Sequence, residues 1–126
     1  MADFEERRRE KRLRYHWPIW FADGADGQLS QGQMVDLSSN GAAFSCYSEN
    51  CPCPGQWITA RFSVPEYGED KSFDLSNYVR SGSVCRVDEI SSFLRRVAVQ
   101  FSDNLPFRPG EQEADLAEEE LEALSA

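Results

Sequence analysis

Gln33-Met34-Val35-Asp36-Leu37-Ser38-Ser39-Asn40-Gly41-Ala42-Ala43-Phe44-Ser45-Cys46 holds two apolar runs with a polar junction between them, and the reading of that junction decides the fold. Gln33 to Leu37 reads as one strand and Ala42 to Cys46 as the next. Ser38-Ser39-Asn40-Gly41 predicts a tight turn, because small polar side chains bond their own backbone there and Gly41 supplies a positive φ at no steric cost. The segment is thus an antiparallel hairpin with a polar tip.

Moving outward, the pattern repeats. Tyr15, Trp17, Ile19 and Phe21 fall on one side at period two, which predicts a strand, and Pro18 requires that the strand be at an edge or that its missing N–H face away from pairing. Residues 22–31, with Asp23-Gly24 and Asp26-Gly27, read as a loop, as does Cys51-Pro52-Cys53-Pro54-Gly55. Trp57 to Val64 is a strand with Ile58, Ala60, Phe62 and Val64 on one face, and the polar residues 65–77 read as a second long loop. Two further strands run from Val79 to Val87, bent or bulged near Gly82, and from Phe93 to Phe101. Six short strands joined by turns predict a mainly β fold, a small six-stranded antiparallel barrel. Beyond Pro109-Gly110, Ala114, Ala117, Leu121 and Leu124 form one stripe among glutamates, which predicts an acidic C-terminal helix. The organisation expected is a basic N-terminal arm over residues 1–14, a barrel over 15–105 and an acidic tail over 106–126.

Composition narrows the function. A chain of 126 residues with 40% hydrophobic residues supports one core, and its net charge of -9 excludes a general binder of DNA, whose affinity comes from clustered positive charge. The charge is unevenly spread. Residues 1–16 carry six basic and four acidic side chains, whereas residues 111–126 carry seven acids and no base. A short basic arm on an acidic body suits a small anionic ligand better than a long polyanion. No apolar run reaches the length of a membrane span, and no signal-peptide pattern opens the chain, so a cytoplasmic location without membrane insertion is expected. In that setting Cys46, Cys51, Cys53 and Cys85 are expected as reduced thiols.

The chemistry sits in two stretches. Arg7-Arg8-Arg9-Glu10-Lys11-Arg12 contains Arg8-x-x-x-Arg12 just ahead of the first strand, and 24 residues after Arg12 comes Asp36-Leu37-Ser38-Ser39-Asn40-Gly41. This pair resembles the PilZ family, whose pattern is Arg-x-x-x-Arg before the first barrel strand and Asp/Asn-x-Ser-x-x-Gly at a strand turn. Gly82 to Asp88 and Arg96 to Phe101 resemble the last two family strands, so the likeness covers roughly residues 6–102. The resemblance implies a split-barrel receptor for cyclic di-GMP with Arg7, Arg8, Arg12, Asp36, Ser38 and Gly41 at the ligand, no cofactor, and a downstream protein partner.

The residue chemistry agrees with that implication. A guanidinium forks onto phosphate oxygens, bonds guanine O6 and N7, or stacks on a base, so arginines four apart serve several parts of one ligand. A carboxylate at Asp36 accepts from the guanine N1–H and N2–H₂ edge, Ser38 adds a hydroxyl, and Gly41 permits close approach. Arg7 supplies a third guanidinium, which leads us to expect two intercalated ligand molecules per chain. With like charges close together, the arm is expected to be mobile when free and ordered by ligand.

Plainer readings exist for each feature. A charge run is often a solvated face, and an isolated Asp-x-Ser-x-x-Gly is often only a turn. A PilZ-like adaptor that binds no nucleotide is the main alternative. A metal-stapled redox protein is a third, but Cys46-x4-Cys51-x-Cys53 lacks the paired Cys-x-x-Cys knuckles of a zinc site, so no metal is expected. Trp17, Trp20 and Trp57 read as barrel core or rim. His16, the single histidine, has no partnered nucleophile, and no catalytic constellation stands out, so the chain is not expected to be an enzyme.

Overall fold

The computed structural model describes residues 10–23, 27–67 and 73–112. Seven strands follow one another: β1 (Leu13–Arg14), β2 (Pro18–Asp23), β3 (Leu29–Ser38), β4 (Gly41–Tyr47), β5 (Trp57–Tyr67), β6 (Phe73–Glu89) and β7 (Leu94–Phe101). All pairings are antiparallel, in the order β3-β2-β5-β6-β7-β4, and β4 pairs again with β3. That last pairing closes a six-stranded barrel, and the two-residue β1 lies along β3 through Leu13↔Leu37 and Arg14↔Asp36.

The core follows from alternation. Ile58, Ala60, Phe62 and Val64 of β5 point inward, as do Ile19 and Phe21 of β2, Met34 and Leu37 of β3, Phe44 and Cys46 of β4, and Val97, Val99 and Phe101 of β7. Phe62 stacks on Phe101 with centroids 5.7 Å apart, and Phe21 meets Phe44 at 4.9 Å, both within the range that aromatic pairs favour. Tyr15 leans on the core from the segment before β2, and its hydroxyl donates to Ser63 O at 3.0 Å. Burial raises the pKa of this phenol above the ordinary tyrosine range.

Several expectations need correction. β3 begins at Leu29, which pairs with Ala22, so both ends of the expected 22–31 loop are strand. Residues 65–77 are likewise not one loop, because Pro65 pairs with Leu75 and Tyr67 with Phe73. In both places polar residues continue a ladder already in register, and pairing their backbone groups outweighs weak local strand preference. The irregularity in β6 is a bulge between Val84 and Arg86, leaving Cys85 as the extra residue, a few residues beyond the Gly82 near which a bend or bulge was expected. Phe93 lies outside β7 and is exposed, and Trp17 and Trp57, 40% and 52% exposed, are on the surface, which leaves only the rim of the core-or-rim placement expected for them. Pro18 opens β2, pairing only with β3 at Gln33 while the β5 ladder begins at Ile19, which accommodates its missing donor. The described residues contain two short 3-10 turns, Ser48–Asn50 and Pro109–Glu111, and no α-helix. The expected acidic helix and most of the basic arm lie outside the described residues.

The arm residues that are described do not hang free. Lys11 N–H donates to Glu111 Oε2 at 3.1 Å, and Gly110 sits so close that an added Cβ would stand 2.2 Å from Lys11 O. Lys11 thus lies against the 3-10 turn at Pro109–Glu111, while residues 7–9 of the stretch expected to be mobile lie outside the described residues.

Candidate functional site

The β3–β4 junction is two residues long, with Ser38 paired to Gly41 across it. Ser38 is buried, and its Oγ lies 2.8 Å from Asn40 Oδ1 and 3.3 Å from Gly41 O, so its single proton is spent inside the turn. The backbone carbonyls of the turn are tied as well: Leu105 N–H donates to Ser39 O at 2.7 Å, and Phe101 N–H to Asn40 O at 2.8 Å. The turn is therefore fixed from both sides. Gly41 does not have the positive φ expected of it. Its lack of a side chain serves close approach instead, since a Cβ would lie 2.5 Å from Val99 O on the neighbouring β7.

Asp36 stands two residues before this turn, opposite Arg14 of β1. Arg12 Nε donates to Asp36 Oδ1 at 2.7 Å, with the two side chains 43% and 23% exposed. The ion pair is charge-assisted but open to solvent, so it orients both groups more than it stabilises the fold. Glu10 reaches the turn from the arm, accepting from Ser39 N–H at 2.6 Å and from the Ser39 hydroxyl at 2.7 Å.

These groups frame a pocket of about 540 Å³ lined by Glu10, Arg12, Ser38, Asn40, Gly41 and, from β6 and β7, Cys85, Ala98, Val99 and Gln100. That volume is within the usual range for small-molecule sites, and the mixture of strand backbone, amide and charged groups suits a polar ligand. Arg12, Ser38 and Gly41 line the pocket and Asp36 is held at Arg12, whereas Arg7 and Arg8 lie outside the described residues. Glu10, Asn40, Cys85 and Gln100 were not anticipated. Asn40 was within reach of a sequence reading as part of the turn, but Gln100 and Cys85 join only through the β4–β7 and β6–β7 registers.

The cysteines do not gather at this pocket. Cys46 is buried in β4, Cys51 is half-buried, and Cys53 and Cys85 are exposed, all as free thiols. Burial, with the neighbouring Cys51 adding to it, pushes the Cys46 thiol up to about 12, and burial also raises that of Cys51. Among the described residues no group of three His, Cys, Asp or Glu side chains is placed to hold a metal ion.

Comparison with known proteins places this geometry. No curated protein matches the sequence. Among solved structures, the Bacillus subtilis inhibitor of motility MotI/DgrA superposes with a TM-score of 0.61 at 15% sequence identity. The match covers 92% of this chain and 51% of that one, so the likeness is one of fold and takes in about half of that protein. The model of the PilZ domain family matches residues 6–118, which include the arm, the whole barrel and the turn with its Asp-x-Ser-x-x-Gly residues, and the chain belongs to that family.

Proposed function

We propose that this PilZ domain is a receptor for cyclic di-GMP that acts by binding rather than by catalysis and signals to a protein partner, with Arg7, Arg8, Arg12, Asp36, Ser38 and Gly41 as its ligand site. The observation that carries the proposal is the meeting of Arg12 from the arm with Asp36 and the Ser38–Gly41 turn at one open pocket. Arg12 and Asp36 pair with each other and remain partly exposed, so each can exchange its partner for ligand: Arg12 for a phosphate or guanine O6/N7, Asp36 for the guanine N1–H and N2–H₂ edge. Gly41 keeps β4 close to β7 and leaves the pocket floor clear. The intact motif pair in a family of generally cyclic di-GMP-binding domains supports the same reading.

The Ser38 hydroxyl, its proton spent on the turn, shapes the site and can meet the ligand only as an acceptor. Arg7 and Arg8 complete the cationic arm, and Arg7 is the residue we assign to a second, intercalated ligand molecule. The site of action is the cytoplasm.

Isothermal titration of the full chain with cyclic di-GMP tests the proposal. Saturable binding that Arg12→Ala weakens by about tenfold or more is the expected result, since the variant loses charge-assisted hydrogen bonds. Absence of heat with the wild-type chain would favour the nucleotide-free adaptor reading instead. Two ligands per chain, falling toward one in Arg7→Leu, is the stoichiometry expected.

A further inference from the structure

Glu10 lies between Arg8 and Arg12 in the arm, yet its side chain turns to the same pocket. Its two oxygens act separately: Oε2 accepts from the Ser39 N–H and Oε1 from the Ser39 hydroxyl, at 2.6 and 2.7 Å. Ser39 thus presents two convergent donors to an oxyanion with two acceptor oxygens. A phosphodiester offers a similar pattern, two non-bridging oxygens on one atom sharing one negative charge. The donors are also set in place beforehand, because the turn is tied through Ser39 O to Leu105 and through Asn40 O to Phe101. Releasing Glu10 leaves an N–H and an O–H in position for another anion.

Resting on the cyclic di-GMP reading above, we propose that the Ser39 N–H and hydroxyl form a receiving site for one phosphate of the ligand, and that Glu10 occupies this site in the free chain as a built-in competitor. Three consequences follow from charge and connectivity. The carboxylate stands in the pocket alongside Arg12, whose own partner is Asp36, so in the free chain Arg12 is already paired with one carboxylate and Glu10 adds a second negative charge held only by Ser39. A ligand bearing two negative phosphates must displace the carboxylate from Ser39 or bind against its repulsion. Glu10 is also next to Lys11, whose backbone is bonded to Glu111, so exchange of anions at Ser39 is felt by the arm at its contact with the Pro109–Glu111 turn. Affinity is then set by a competition within the chain, and the arm pays out its own acidic residue when ligand arrives.

The test uses the full chain and cyclic di-GMP as probe. Glu10→Gln keeps the shape and removes the charge. It is expected to bind about five- to tenfold more tightly than wild type, the effect of replacing a charged acceptor by a neutral one at a contested site. Ser39→Ala placed in the Glu10→Gln background is expected to reverse most of that gain, because the phosphate then loses the hydroxyl donor. Amide NMR adds a readout at the atom concerned: the Ser39 resonance shifts in Glu10→Gln and shifts again on saturation with ligand. Glu10→Ala, which removes both oxygens, serves as a second variant and is expected to gain affinity as well. If wild type binds and both Glu10 variants bind equally or more weakly, Glu10 merely positions the arm and the competitor is ruled out while the receptor reading stands. If wild type and every variant fail to bind, the receptor reading fails and the competitor falls with it.

Discussion

Two hairpins of the barrel divide its work. The β5–β6 hairpin is long, with eleven paired positions, and sends Ile58, Ala60, Phe62 and Val64 into the core. The β3–β4 hairpin has a two-residue turn tied down by hydrogen bonds from Ser38, Leu105 and Phe101, and it presents Asp36 and Ser39 to charged side chains from the arm. In the first, burial of apolar surface sets stability. In the second, charged groups such as Asp36 and Arg12 are partly open to solvent, so their contribution to stability is small and the role proposed for them is recognition. The lesson is that in this molecule the residues that hold the fold and those expected to read the ligand are largely separable by mutation.

The largest effect expected from testing that division is in the core. Phe62→Ala removes a buried ring that stacks on Phe101 and should cost about 3–5 kcal/mol in denaturant unfolding, a large share of the stability of a small domain. Where the variant is still folded, its cyclic di-GMP affinity should stay near wild type. A large loss of affinity in the folded protein would break the division. Gly41→Ala tests the one place where the two roles meet, since the new methyl group would press on the backbone of Val99. A loss of about 1–3 kcal/mol is expected from overpacking, together with weakened ligand binding as β4 and β7 are forced apart beside the pocket.

Arg12→Ala sharpens the contrast from the other side. Its ion pair with Asp36 is partly exposed, so thermal or denaturant unfolding should change by less than about 1 kcal/mol while ligand affinity falls by the tenfold already stated. A stability loss as large as that of Phe62→Ala would show that the arm is part of the core's support.

The smallest effect concerns pH. With the Cys46 thiol raised from an ordinary 9.0 to about 12, the folded state favours the neutral thiol. The stability this contributes is fully present below pH 9 and is lost as pH rises from 9 toward 12. Unfolding midpoints measured between pH 8 and 10.5 should decline on the alkaline side, and Cys46→Ala should flatten the first part of that decline, although Tyr15, raised in the same direction by burial, maintains a slope above pH 10.

The legibility of the fold in the sequence follows the same boundary. The strands with strong period-two alternation, such as Trp57 to Val64, appear where the pattern predicts them, because the core that buries Ile58 and Phe62 is what the pattern records. The ends of β3, β5 and β6 were less visible: Leu29 to Gln31 and Pro65 to Tyr67 have no apolar face to announce them and are strands because a partner is already in register. Of the candidate site, Arg12, Asp36, Ser38 and Gly41 could be named through the family resemblance that their two motifs carry. The role of Gly41 could not, since its constraint is a neighbouring carbonyl from residue 99 and not its own turn. Glu10 was read as one charge among many in the arm. Only the fold shows that it is bonded to Ser39, 29 residues away.

The two residues of β1 complete the wall of the barrel at one point. Beyond Pro18, β2 no longer pairs with β3, and the rest of that flank of β3 is covered by the arm: Met34 N–H bonds Trp17 O, Tyr15 N–H bonds Val35 O, and Leu13 and Arg14 face Leu37 and Asp36. The barrel is therefore sealed beside its candidate site by a short segment that also carries Arg12. Were that segment lifted away, the Met34 N–H and the Val35 carbonyl would lose their partners and the flank of β3 toward Leu37 would become an open edge. An open edge accepts a strand from another polypeptide, so displacement of the arm and recruitment of a partner by strand addition would be two views of one event.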